Sequence, residues 1–245
     1  MAEIRSQAGG QDYGPSLPEL LGPRLRALGR WQRLALALAA AALIAAVAAI
    51  VIRGEAAVKT YSQRADEARQ RGLAPIPFHF DYSSKLERSH PAGTYVEIER
   101  RIGGTLASLF SVSELRIGRQ SGLISGFMPI VATRLERQAE RSFDRFRLQF
   151  EGRARVNKVE GYQFAFTARL NRPGRPPRLL LGRVVMLPEP FDPDDPDVSY
   201  PQGRVPTRGL LITMLATSLD NVPSANRIGD EGLLQRPFRS FRFGG

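Results

Sequence analysis

The chain of 245 residues has no cysteine, two histidines, one tryptophan and three lysines. Without cysteine there is no disulfide framework, no thiol nucleophile and no thiolate metal site, so the fold has to be held by its core. His79 alternates within a strand pattern and His90 precedes Pro91. Two histidines without a thiol make a poor transition-metal site, and both read as structural. There is no Gly-x-Ser-x-Gly elbow, no Gly-x-Gly-x-x-Gly turn and no Walker loop, which leaves nucleotide handling without support. Two glycine-bounded pentapeptides, 118–122 and 122–126, carry Ser121 and Ser125 one position late. Either serine with His79 or His90 defines the alternative reading, an anchored hydrolase of unknown substrate. The preferred expectation is a protein that is not an enzyme and holds neither cofactor nor metal.

Asp192, Asp194, Asp195 and Asp197 form the densest acidic cluster. Pro196 takes what would be a ligand position, and no glycine or distal glutamate follows in a calcium-loop register, so a solvated loop is expected. Glu97 and Glu99 share a strand face, a spacing that does not by itself make a catalytic carboxylate pair. The net charge is +11 and the pI about 10.8. Lys59, Lys85 and Lys158 are the only lysines among 35 basic residues, leaving 32 arginines. With the alanine richness, this skew reads first as the signature of a GC-rich, bacterial genome. A basic surface suits anionic lipid, an acidic polymer or an acidic protein edge.

What the chain does have is a run of nineteen apolar residues, Leu34 to Ile52, between Arg33 and Arg53. As a helix it would span about 28 Å, close to the hydrocarbon thickness of a bilayer. It is longer than a signal-peptide core and begins after 33 residues, which favours an uncleaved span. Trp31 sits at its edge, where an interfacial aromatic is expected. Arg24, Arg26, Arg30 and Arg33 precede it closely, against Arg53 and Lys59 after it. That bias places the N-terminus in the cytoplasm and the C-terminal domain outside. The expected organisation is a mobile tail (1–33), a transmembrane helix (34–52), a polar helical stalk and linker (53–76) and a globular domain (77–245). Nucleic acid is not an expected partner of a domain outside the cell.

Within the domain, Phe78, Phe80 and Tyr82 alternate with His79 and Asp81 as a strand. Strands follow at Tyr95–Ile98 and Thr105–Ile117. Pro129 is expected to open a helix whose stripe is Val131, Leu135, Ala139, Phe143 and Phe146. Phe146 to Val156 and Gln163 to Leu170 read as a hairpin with one wet face. Leu179–Leu187 and Leu210–Ala216, apolar on both faces, belong in the middle of a sheet. A helix within Val222–Gln235 and a terminal strand at Ser240–Phe243 complete the pattern. The expected class is α+β, a mainly antiparallel sheet with helices on both faces.

Several short pieces carry a family resemblance: the opening Pro77-Phe78-His79-Phe80, the helix–strand unit, Val159-Glu160-Gly161-Tyr162 before a strand, and the closing Ser240-Phe241-Arg242. In this order the region from Pro77 to Gly245 resembles the PsbP/Mog1-like family of α/β/α sandwiches. That resemblance implies a small extracytoplasmic accessory or binding module without catalysis. A curved-sheet domain of the cystatin or NTF2 kind is the second candidate. The wet face of the hairpin is the expected binding site: Arg147, Arg153 and Arg155, with Arg169 across the strands, bind phosphate or carboxylate by bidentate contacts. Glu151 lies among them as a neutralising partner.

Overall fold

The elements in chain order are β1 (Val58–Gln63), α1 (Ala65–Gln70), β2 (Phe78–Ser83), β3 (Glu87–Ser89), β4 (Thr94–Ile102), β5 (Thr105–Arg116), α2 (Ile124–Ser142), β6 (Asp144–Val156), β7 (Val159–Arg172), β8 (Arg175–Pro188), β9 (Arg208–Thr217), a single 3-10 turn (Ala225–Arg227), α3 (Gln235–Ser240) and β10 (Arg242–Phe243). They come from a computed structural model that describes residues 56–118, 123–172, 175–193, 195, 200–201 and 205–244. The tail, the apolar run Leu34–Ile52, Ser121, Asp194 and Asp197 lie outside the described residues. Among the described residues no helix is long and apolar enough to cross a membrane.

Seven strands form one sheet in the order β3-β4-β5-β9-β8-β7-β6, and β1-β2-β10 form a second; all pairings are antiparallel. The two nearly continuous apolar segments become β8 and β9, inside the large sheet as their composition requires. Leu181, Val185, Ile212 and Met214 face one cluster, which also takes Phe78, Phe80, Phe110 and Phe241. Leu180, Val184 and Met186 face the other, with Phe127, Met128, Val131 and Ala132 of α2.

The layers therefore differ from the expectation. Helices do not cover both faces of the large sheet: α2 lies on one, and the three-stranded sheet takes the place of a helical layer on the other. The short α3 packs on β2. The expected stalk is part of this arrangement. Val58–Gln63 pairs with Ser83–Phe78, and Tyr61, 5% exposed, packs its ring at a tilt against Phe78 and Phe80 at 5.9 and 5.3 Å. Among the described residues of the proposed helical stretch, only Ala65–Gln70 is helical. The run Val58-Lys59-Thr60-Tyr61 is rich in β-branched and aromatic residues, and a waiting edge of β2 decides the outcome.

Pro129 sits inside α2 rather than at its start. It forgoes one hydrogen bond near the first turns, which the apolar Phe127 and Met128 offset by burying below it. The expected helix within Val222–Gln235 is replaced by the 3-10 turn, because Gly229 and Gly232 take positive φ values of 86° and 75° there. The helix follows instead at Gln235–Ser240, stapled to the hairpin tip: the Asn157 amide donates to the Arg239 and Phe241 carbonyls. Asn157 and Lys158 both have positive φ, 45° and 79°, the geometry of a tight two-residue hairpin turn.

Candidate functional site

The hairpin β6–β7 forms one border of the large sheet, and β6 pairs with β7 alone. Arg147, Arg153 and Arg155 are all exposed on it. They do not share a face. Leu148 pairs with Phe166 and Phe150 with Ala165, so Gln149 is an extra residue in the strand. Before this bulge Arg147 stands opposite Thr167; after it Arg153 stands opposite Tyr162 and Arg155 opposite Glu160. Side chains alternate along β7, so Thr167 and Tyr162 point to opposite sides of the sheet. Arg153 and Arg155 are on the side of α2, about 6.6 Å apart as two-residue neighbours. Arg147 is on the side of the small sheet, where Arg169 also points. A second irregularity, with Arg145 at a φ of 52°, precedes Arg147. The single wet face is corrected accordingly: β7 buries Phe164, Phe166 and Ala168 on one side and Ala165 on the other.

Among the described residues Glu151 forms no ion pair with these arginines and lies instead against Glu136 of α2. Burial first, then the charge of Glu151 and a carboxyl–carboxyl hydrogen bond, hold the Glu136 pKa above its ordinary value. Burial and the same two carboxylates raise Tyr162. Among the described residues Arg145, Arg147, Arg153 and Arg155 form no ion pair. One large apolar side chain is exposed on each face beside them, Leu148 at 42% and Phe150 at 46%.

A cleft of about 510 Å³ opens beside α2, between its Arg134–Gln138 segment, the end of β5 and the Arg71–Leu73 loop. Leu73, Leu115, Leu135 and Leu211 supply apolar walls. Arg71 donates to the Thr94 and Tyr95 carbonyls at 2.6 and 2.7 Å, and Arg134 to the Arg116 carbonyl at 2.7 Å. Both guanidinium groups are thus positioned by backbone oxygens and keep their charge uncompensated. Among the described residues Glu114 is the only carboxylate in the wall, 3.5 Å from Arg116. Sequence reasoning passed over these residues, since three segments far apart in the chain build the cleft and none carries a motif.

The remaining candidates are dispersed. His79, in the small sheet, meets the Gly244 carbonyl at 3.1 Å; His90 meets the Tyr95 carbonyl at 2.8 Å and Arg71 at 3.4 Å. Among the described residues neither histidine is hydrogen-bonded to a serine, and Ser125 is exposed in the first turn of α2. Asp195 donates its N–H to Asp192 within the acidic loop. Glu99 is held by Arg101 at 2.6 and 2.7 Å, while burial and Glu99 raise the Glu97 pKa. Among the described residues no group of carboxylates and histidines is arranged to hold a metal.

No family model and no curated relative matches the chain. Among solved structures, the chain is similar to the solution structure of cyanobacterial PsbP from Synechocystis sp. PCC 6803. The likeness has 15% identity and a TM-score of 0.42, over 78% of this chain and 95% of that one.

Proposed function

We propose that this chain is a membrane-anchored, extracytoplasmic binding domain without catalysis, which sets the β6 edge of its sheet against an anionic surface. The observation that carries this reading is that the four β6 arginines stand exposed, on both faces of an open edge, with no ion pair among the described residues. A strand edge laid on a plane of phosphates brings side chains from both faces within reach of it. Leu148 and Phe150 add an apolar contact on each side, in the manner of interfacial segments that combine arginine with large apolar residues. Each arginine near such a surface contributes about 1 kcal/mol. In this reading Leu34–Ile52 is the anchor, the N-terminus is cytoplasmic, and phosphate-bearing headgroups are the partner.

Two experiments test it. The unit from Ala56 to Gly245 should sediment with phosphatidylglycerol vesicles, not with phosphatidylcholine vesicles, and the difference should shrink with salt as screening shortens to about 3 Å at 1 M. Equal binding to both lipids contradicts the partner. A reporter fused after Gly245 should be active outside the cytoplasm, and cytoplasmic activity contradicts the topology.

A further inference from the structure

We infer that the cleft beside α2 is a second binding site, separate from the β6 edge, for a small amphipathic anion: a phosphate or carboxylate head on an apolar body. The cleft is about 510 Å³, within the roughly 300–1,000 Å³ range of small-molecule sites. Its two chemistries are segregated. Leu73, Leu115, Leu135 and Leu211 offer apolar surface, with Leu115 buried and the other three half-buried. Arg71 and Arg134 converge on it from the loop and from α2.

The charge balance selects the ligand. Among the described residues Arg71, Arg116 and Arg134 stand against Glu114, an excess of two positive charges in the wall. Arg71 and Arg134 are already anchored on carbonyl oxygens, so their guanidinium groups are ordered before any ligand arrives. Such fixed donors favour a planar or tetrahedral oxyanion and lose little side-chain entropy on binding. A purely apolar ligand would leave those cations desolvated, and a bare inorganic anion would leave the leucine surface wet. One molecule bearing both groups satisfies both. The same chemistry exists in a free amphiphile and in a lipid whose headgroup enters the cleft.

The test is calorimetric titration of the purified full chain with hexyl phosphate, below the concentration at which it aggregates. Saturable one-site binding is expected, with inorganic phosphate and hexanol each at least tenfold weaker. Arg134→Gln and Arg71→Gln should each weaken hexyl phosphate about tenfold, the loss of one charge-assisted contact. These arginines also hold backbone carbonyls, so Gln138→Trp serves as the second variant. Gln138 is exposed at the cleft and contributes only backbone groups to the hydrogen bonds of the described fold, so a tryptophan there fills the space with the arginines intact. It should abolish binding without changing the melting temperature. A phosphatidic acid vesicle that competes with hexyl phosphate assigns the site to a lipid headgroup, and one that does not assigns it to a free amphiphile. No saturable binding, inorganic phosphate as tight as hexyl phosphate, or unchanged affinity in a folded Gln138→Trp variant would overturn the inference.

Discussion

Arg147 and Arg153 stand an even number of residues apart on one strand and yet point to opposite sides of the sheet, because Gln149 bulges between Leu148 and Phe150. The bulge also decides which side Phe146 takes, and Phe146 lies 4.9 Å from Phe166 in the α2 cluster. Deleting Gln149 makes Leu148 and Phe150 direct neighbours opposite Phe166 and Ala165, so regular alternation keeps every residue on the face it now holds, Phe146 included. The deletion should therefore change stability by no more than about 0.5 kcal/mol, measured by urea unfolding. A loss of about 1–2 kcal/mol, the value of a partly buried phenylalanine, would mean that the faces had exchanged.

Glu136 sets a pH dependence with a definite sign. Its pKa is raised above 4.5, so the folded state holds this proton more tightly than the unfolded state does. The stability from that proton is complete below about pH 4.5 and is lost as pH rises through the folded pKa. Glu136→Gln stays neutral and should flatten the melting temperature between pH 4.5 and 7, leaving the variant the more stable at neutral pH. Asp220, raised by burial, contributes a slope of the same sign.

Gly182 lies directly under the Phe166 ring. A Cβ there would sit 2.2 Å from the ring carbon Cζ. Phe166 in turn contacts Phe143, Phe146 and Phe164, so it has no room to yield. Gly182→Ala should therefore destabilise by about 1–3 kcal/mol, the range for overpacking. Chemical denaturation measures it directly.

Arg183 ties the loop after β9 to the sheet. Its guanidinium meets Gln163 at 2.9 Å, the Ile228 carbonyl at 2.7 Å and Asp230 at 3.1 Å, with the Phe238 ring 4.8 Å away. Arg183→Met should cost about 2 kcal/mol through the unpaired groups it leaves. Hydrogen exchange should show the loss concentrated in the segment around Ile228 to Phe238.

Much of the sheet was legible from the sequence, because two-residue alternation and doubly apolar runs report burial directly. β2 was visible in Phe78, Phe80 and Tyr82, and the central place of β8 and β9 in their nearly continuous apolar runs. The small sheet was not, since β1 carries only Tyr61 and Gln63 as buried residues, and pairing with β2 rather than pattern makes it a strand. The arginines were found and their faces missed for one reason: a bulge breaks the period on which face assignment rests, and Gln149 carries no turn residue to mark it. The cleft left no signal at all, as its charges come from α2, β5 and a loop.

The central claim is that both faces of the β6 edge meet the anionic surface together. Its most direct measurement is the affinity of the Ala56–Gly245 unit for phosphatidylglycerol vesicles in three variants: Arg147→Ser, the pair Arg153→Ser and Arg155→Ser, and all three combined. At about 1 kcal/mol per arginine, the account predicts losses of roughly fivefold, thirtyfold and a hundredfold or more, with the two faces adding. Full affinity in either Arg147→Ser or the Arg153/Arg155 pair would show that only one face takes part, and full affinity in the triple variant would contradict the account altogether.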